Sequence, residues 1–221
     1  MFRDRADAGW RMAAKLKEVP LHDPVVLGIP RGGVAIGAVL AEELGAELDI
    51  VLARKLRAPG QPELAIGALS ETGEVQLNDR AAEVWNVDDD YLKEEIRTQK
   101  REIARRQKLF REVRPRVPLA GRSVIVTDDG IATGATMIAA LKVLRGQEAE
   151  QQAREVIVAV PVAAADRLRE IRPLCDRLVC LLQPESFLAI GQFYSDFTQV
   201  ADADVVKLLD CARALYSSWR D

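Results

Sequence analysis

A chain of 221 residues, 48% hydrophobic and 29% charged, with a net charge of −3, has the composition of one globular domain with a sizeable core. The near balance of charge gives no general affinity for polyanions, no apolar run is long enough to span a bilayer, and the charged start MFRDRADAGW lacks a signal-peptide core. Cys175, Cys180 and Cys211 are odd in number and at no metal-like spacing, so they read as free thiols and predict a cytoplasmic setting.

Residues 4–18 have helical composition, with Trp10, Ala13, Ala14 and Leu16 at apolar positions. PVVLGIP at 24–30 is a short buried strand stopped by proline; Arg31-Gly32-Gly33 is a loop, and a helix follows to the glycine stop at Gly45. LDIVLA at 48–53 is a second strand. RKLRAPGQPEL at 54–64 holds two prolines, a glycine and three cations, and reads as a loop. AIGALS and EVQLN, separated by Glu71-Thr72-Gly73, form a hairpin.

Asp88 opens a long helix to about Glu112. Its extension over 91–116 holds ten cations against four glutamates, with Glu102–Arg106 and Glu94–Arg97 at pairing distance. A narrow stripe of Leu92, Ile96, Ile103 and Phe110 reads as a solvated helix packing on one side. Strands follow at 124–127, 154–162 and 176–182, with helices at about 134–145 and 163–170. A segment at 183–203 carries Phe187, Phe193, Tyr194 and Phe197, and a terminal helix runs from Asp204 to Trp219. Strands and helices alternate, and the central strands are continuously apolar. Both facts predict an α/β fold with a doubly wound, mostly parallel sheet covered on two faces. Such sheets take ligands beyond the C-terminal ends of their strands.

Three loops can meet at that edge. The most informative is Asp128 to Thr136, in VIVTDDGIATGAT at 124–136. Asp128 and Asp129 end a strand, and Gly130, Ile131, Ala132, Thr133, Gly134, Ala135 and Thr136 lead into a helix. Paired carboxylates suit sugar hydroxyls, and N–H groups at a helix N-terminus suit a phosphate. Arg31-Gly32-Gly33 and Arg54-Lys55 with Arg57 add cations and glycine backbone. No Gly-Lys-Ser/Thr follows, so this is not a P-loop.

These residues resemble the type I phosphoribosyltransferases, whose signature is four mostly apolar residues, two acidic residues and Thr-Gly-x-Thr at fixed spacing. Ile29 to Gly33 is similar to the family's pyrophosphate loop, and Arg54-Lys55-Leu56-Arg57 to the base of its mobile loop. More narrowly, the chain resembles the stand-alone predicted phosphoribosyltransferases of unassigned substrate. The resemblance covers a core at about 24–182 of one domain, with a small hood from 1–23 and 183–221. It implies a transferase of nucleotide or nucleoside metabolism that uses phosphoribosyl diphosphate and Mg²⁺, and a homodimer. Asp128 and Asp129 would hold the ribose hydroxyls, directly or through Mg²⁺-bound water. N–H groups from Ile131 to Thr136, with the Thr133 and Thr136 hydroxyls, would grip the 5-phosphate. Arg31, Gly32, Gly33, Arg54 and Lys55 would hold pyrophosphate, and Arg57 would close over the site with 58–64.

The acceptor is addressed by two departures. Ala132 stands where the 6-oxopurine enzymes of the family carry a proton-transferring aspartate, and Ser186 where they carry a purine-reading lysine; both disfavour hypoxanthine or guanine. Phe187, Phe193, Tyr194 and Phe197 read first as an aromatic cap over a sheet edge; Phe187, Phe193 and Tyr194 are also candidates to stack on a flat acceptor, and Glu185 and Asp196 to read exocyclic amines. The alternative is a regulator that senses a phosphoribosyl ligand without catalysis. The basic helix is its support, although no nucleic-acid module is recognisable.

Overall fold

The computed structural model describes residues 1–85, 87–146 and 149–220. Five strands form one parallel sheet in the order β2-β1-β6-β7-β8, where β1 is Val25–Gly28, β2 Glu47–Ile50, β6 Ser123–Thr127, β7 Glu155–Val162 and β8 Arg177–Leu182. In register, Val26 lies opposite Ile125, and Ile125 opposite Ile157; Val25 lies opposite Val124, and Val124 opposite Val156. The first row enters one core and the second enters another, because successive strand residues face opposite sides. Continuous β-branched runs therefore supply both faces at once.

The helices α1 (Arg5–Leu16), α2 (Gly32–Leu44) and α7 (Asp202–Arg220) pack toward the first core, which holds Met12, Leu16, Leu40, Val205 and Leu209. On the opposite side, α5 (Ala135–Arg145) and α6 (Ala165–Ile171) contribute Met137, Leu141, Leu168 and Ile171. The chain winds from β1 through α2 to β2 in one direction, and from β6 through α5 to β7 in the other. The direction reverses between β1 and β6. At this switch point the loops after the two strands diverge to opposite faces and leave a crevice.

The expected loop at 54–64 is instead a pair of antiparallel strands. β3 (Ala53–Ala58) and β4 (Gln61–Ser70) turn at Pro59-Gly60, with Gly60 at φ +69°, and β5 (Val75–Leu77) completes a second sheet of three strands. Proline and glycine mark the hairpin turn, and register shifts beside Arg57 absorb the rest of the irregularity. Leu56 and Ala58 are buried while Arg54, Lys55 and Arg57 are partly exposed, so the cations ride on a strand. The helix α3 (Asp79–Val84) was not foreseen.

The long helix α4 (Asp89–Arg111), capped by the Asp88 carboxylate on the Tyr91 N–H, packs on this second sheet. Its buried face includes Glu95 and Gln99 beside Ile103 and Phe110, so the stripe is partly polar. The segments expected to form the hood divide between two settings. α1 and α7 lie on a sheet face because their apolar positions bury against α2 and β2. The strand ends are capped by shorter pieces: Phe2 bridges to Tyr194, and residues 2–5 meet 193–198.

A buried charge network fixes the second sheet and α4 on the first. Asp49 of β2 is 3% exposed; its carboxylate accepts from the Arg111 guanidinium and from the N–H groups of Ile50, at 2.7 Å, and Val117, at 2.9 Å. Arg111 also pairs with Glu71 in the β4–β5 turn at 2.9 Å. Burial pushes the Asp49 carboxyl up, and the Arg111 charge opposes it. Asp49→Ala is expected to destabilise the protein by about 2–4 kcal/mol in urea denaturation, because Arg111 keeps Glu71 but loses one buried partner, and the N–H groups of Ile50 and Val117 lose their acceptor; a loss under about 1 kcal/mol would show that water replaces the carboxylate.

Candidate functional site

The loop after β1 runs straight into α2 at Gly32, and the loop after β6 carries the acidic pair. Glycine lets the two approach. A Cβ on Gly32 would overlap the Asp129 carboxylate, and one on Gly33 would lie 2.5 Å from the Thr127 carbonyl oxygen and 2.9 Å from the Asp128 Cα. The Ile29 N–H donates to the Thr127 carbonyl at 2.9 Å, and the Pro30–Arg31 peptide is cis. The expected pyrophosphate loop and ribose motif are thus in contact.

Asp128 and Asp129 sit differently. Asp128 is half-buried, and one of its oxygens accepts the Asp129 N–H at 2.9 Å. Asp129 is 8% exposed, and its Oδ2 accepts from Arg5 Nε at 2.9 Å and lies 2.8 Å from Arg5 Nη2. Burial, and then the Asp129 charge, push the Asp128 carboxyl well above the ordinary carboxylate range. Burial also raises Asp129, against the pull of Arg5. The Thr127 hydroxyl, buried just before the pair, has no protein partner among the described residues.

The remainder of the motif forms a turn onto α5. Gly134 holds φ +77°, a conformation that costs other residues more, and α5 starts at the next residue. The Ile131 N–H is spent on the Val162 carbonyl at 2.9 Å and its side chain is buried, which removes Ile131 from the expected phosphate grip. Among the described residues, the N–H groups from Ala132 to Thr136 have no protein acceptor, and they open the positive end of α5. Gly130 is tight against Ile190, whose Cγ2 would lie 2.7 Å from an added Cβ.

The cations divide between two settings. Arg31 is partly exposed, 3.8 Å from Asp202. Arg54 donates from Nε to Gln99 at 3.0 Å, and burial, then Arg106, lower its pKa. Pro30, Arg54, Arg106 and Thr136 line one cavity of about 130 Å³, which brings the first loop, β3, α4 and the start of α5 together. Arg57 donates to Glu95 through Nε at 2.8 Å and Nη2 at 2.9 Å, while its carbonyl accepts from the Tyr91 hydroxyl at 3.0 Å. In this structure Arg57 is therefore tied to α4. Lys55 is partly exposed on the same strand.

Beyond Ala132 a wider cavity of about 570 Å³ is lined by Thr133, Ala164, Asp166, Glu185, Phe187 and Leu188, among others. Phe187 packs 5.2 Å from Phe193. Tyr194 is a correction to the stacking expectation. It is 5% exposed, its ring lies between Phe2 at 5.3 Å and Phe197 at 5.0 Å, and its hydroxyl donates to the Asp129 carbonyl at 2.6 Å. Asp196 accepts from the Thr198 N–H and hydroxyl at one oxygen, Oδ1, of the carboxylate expected to read an amine. Two contributors were missed from sequence. Arg106 could be read only as half of an i, i+4 pair with Glu102, and Arg5 left no local signal.

Taken together, the fold and site define a doubly wound α/β domain with an acidic pair and two glycine-bearing loops at its switch point. The phosphoribosyl transferase domain description matches residues 3–198, and the chain belongs to that family. Proteins of Mycobacterium tuberculosis strains CDC 1551 / Oshkosh and ATCC 25618 / H37Rv, each named "Putative phosphoribosyl transferase", are 42% identical to it over 212 residues. The match takes in 96% of this chain and 47% of theirs, so the chain spans about half the length of those relatives. The crystal structure of TT1426 from Thermus thermophilus is 42% identical, with a TM-score of 0.86 over 95% of this chain and 97% of that one.

The raised Asp128 carboxyl has a consequence for stability. The folded protein binds that proton more tightly than the unfolded chain, so the ionised group costs stability above its folded pKa, and the cost fades as pH falls to the ordinary carboxylate range. Asp128→Asn should raise the thermal midpoint of the free protein at neutral pH, with a gain that shrinks on acidification. A lowered midpoint, or a gain that grows in acid, would contradict this electrostatic account.

Proposed function

We propose that the protein is a phosphoribosyltransferase that moves ribose 5-phosphate from phosphoribosyl diphosphate to a nitrogenous, nucleobase-like acceptor and releases pyrophosphate. The observation that carries this reading is the contact between Gly32-Gly33 and Asp128-Asp129 at the switch point, with the α5 N-terminus following on the same loop. A ligand with a phosphate at one end, a ribose between and a pyrophosphate at the other matches that order of groups.

The chemistry follows from the charge that the reaction develops. Breaking the C1–oxygen bond leaves the ribose electron-poor and the pyrophosphate more negative, and groups that stabilise both lower the barrier. The N–H groups from Ala132 to Thr136, with the two threonine hydroxyls, hold the 5-phosphate and fix the sugar. Asp128 and Asp129 would meet the ribose hydroxyls and the positive charge growing on the ring. Arg31, the Gly32-Gly33 backbone, Arg54 and Lys55 face the leaving group. Among the described residues no cluster of three or more acidic, histidine or cysteine side chains could hold a metal alone. Mg²⁺ therefore fits as an ion carried on the substrate's phosphates and reached by a carboxylate, and when bound it would neutralise leaving-group charge.

The acceptor would enter at the cavity beside Ala132. Ala132 offers no proton transfer and Ser186 no cation, which supports the reading against 6-oxopurines. Glu185 with the Phe187 ring suits a flat acceptor bearing an amino group, while Asp166 in the same cavity is paired with Arg167. Among the described residues no helix is long and apolar enough to cross a membrane. The three thiols, Cys175, Cys180 and Cys211, suit a reducing, cytoplasmic setting. The regulator alternative rests on the basic helix α4, where Arg97 and Arg101 pair with Glu94, and Arg105 and Arg106 with Glu102, and salt-sensitive binding to nucleic acid would favour it.

Pyrophosphate release should be measured with phosphoribosyl diphosphate, Mg²⁺ and a panel of bases and amines. The proposal predicts release that depends on one acceptor class and weak or no response to hypoxanthine and guanine. Binding of phosphoribosyl diphosphate with no release for any acceptor would favour the sensing regulator, and no binding at all would end both readings. With the active acceptor, Phe187→Ala should raise the acceptor KM about tenfold, the scale of one lost ring contact, while leaving the KM for phosphoribosyl diphosphate in place.

A further inference from the structure

We propose that Arg106 of α4 binds the substrate's pyrophosphate together with Arg54, so that the basic helix forms one wall of the phosphate site. This rests on the phosphoribosyl reading and goes beyond it by bringing α4, which lies outside the acidic and glycine motifs, into contact with the ligand.

Three observations carry it. First, Arg54 and Arg106 line one cavity of about 130 Å³ with Pro30 of the first loop and Thr136 at the start of α5. Its other walls are aliphatic, with Leu52 and Ile103 among them, and among the described residues no carboxylate lines it. Two cations that face one space without an acid repel each other. Burial, and then the Arg106 charge, lower the Arg54 pKa, a direction that an anion between the two would reverse. The cavity is smaller than the roughly 300 Å³ at which pockets for whole small molecules begin. It suits one end of a larger ligand, a single phosphate group.

Second, each guanidinium is held by one edge only. Arg54 Nε donates to Gln99 at 3.0 Å, and Arg106 Nε to Glu102 at 3.0 Å. Among the described residues the Nη1 and Nη2 nitrogens of both groups have no hydrogen-bond acceptor in the protein. These are the donors that make paired bonds to phosphate oxygens. Glu102 also accepts from Arg105 at both oxygens, so one carboxylate serves two arginines.

Third, α4 presents these groups in helical sequence. Glu95 holds Arg57 and Gln99, four residues on, holds Arg54. Ile103 follows after four more, buried in the core of the second sheet, and Arg106 three beyond it reaches the cavity. Residues at these intervals share one face of a helix. Gln99 and Glu102 are positioning residues, which fix the two arginines through Nε and leave the outer nitrogens to the ligand.

The test is calorimetric titration of phosphoribosyl diphosphate with Mg²⁺, inorganic pyrophosphate with Mg²⁺, and ribose 5-phosphate, on wild type, Arg106→Gln, Arg106→Lys and Arg101→Gln. Arg106→Gln should weaken phosphoribosyl diphosphate and pyrophosphate alike by about ten- to a hundredfold, the scale of hydrogen bonds to a charged group, and leave ribose 5-phosphate within about twofold. Arg106→Lys should recover part of the loss, because it restores the charge without the fork. Arg101→Gln removes an equal charge from α4 away from the cavity, where Arg101 pairs with Glu94, and should leave all three affinities in place. Pyrophosphate should displace phosphoribosyl diphosphate competitively.

The proposal is overturned if Arg106→Gln binds both pyrophosphate ligands like wild type, if ribose 5-phosphate weakens equally, if Arg101→Gln shows the same loss, or if pyrophosphate and phosphoribosyl diphosphate bind together. Should wild type bind no phosphoribosyl diphosphate, the proposed function falls instead, and the pyrophosphate arm alone decides. A loss in Arg106→Gln then keeps the anion pocket, and unchanged or absent pyrophosphate binding refutes it.

Discussion

Two adjacent carboxylates at the end of a buried parallel strand have to be compensated, and much of the site's architecture follows from how that is done. Asp128 and Asp129 close β6 where α2 approaches so nearly that Gly32 and Gly33 admit no side chain. Water reaches Asp129 poorly, so a buried charge there requires a partner. Arg5 supplies it from α1, and Phe197, Thr198 and Tyr194 hold Arg5 or the Asp129 backbone in turn. The terminal segments are drawn to the strand ends by electrostatics as much as by apolar burial. The Asp128 carboxyl is raised, first by burial and then by Asp129 beside it, a pattern that recurs at functional sites.

The cationic side is arranged by a different device. α4 carries a polar stripe at helical spacing, and Glu95, Gln99 and Glu102 each engage an arginine of β3 or of the helix itself. The helix thereby acts as a strut for Arg54 and Arg57 and places Arg106 beside the same cavity as Arg54. Like charges held together at an edge repel unless an anion joins them. That cost is consistent with a site shaped for phosphate groups, and the Asp49–Arg111–Glu71 network keeps the assembly on the main sheet.

The parts of the site that could be read from sequence are local. Val124 to Thr136 states strand, acidic pair, glycine turn and helix start within thirteen contiguous positions, and the apolar runs of β1, β6 and β7 require a covered parallel sheet. The hairpin at 53–70 was hidden because Pro59-Gly60 is a strong breaker signal, while the strand it interrupts is stabilised by pairing with β4 and α4. Arg5 and Asp129 are separated by 124 positions, so nothing along the chain announces their pairing. The Ile131 N–H is a similar case, because its loss to Val162 depends on how β7 extends past β6. Tyr194 could stand as a stacking candidate because its partner Phe2 lies at the far end of the sequence and leaves no local sign of the contact.

The most direct test of the central claim is a crystal structure of the protein with phosphoribosyl diphosphate and Mg²⁺. The account predicts the 5-phosphate on the N–H groups from Ala132 to Thr136, the ribose against the Asp128-Asp129 pair, and the pyrophosphate on Arg31 and the Gly32-Gly33 backbone. A ligand bound away from the switch point, or one whose phosphates lie in the reverse order, would contradict it.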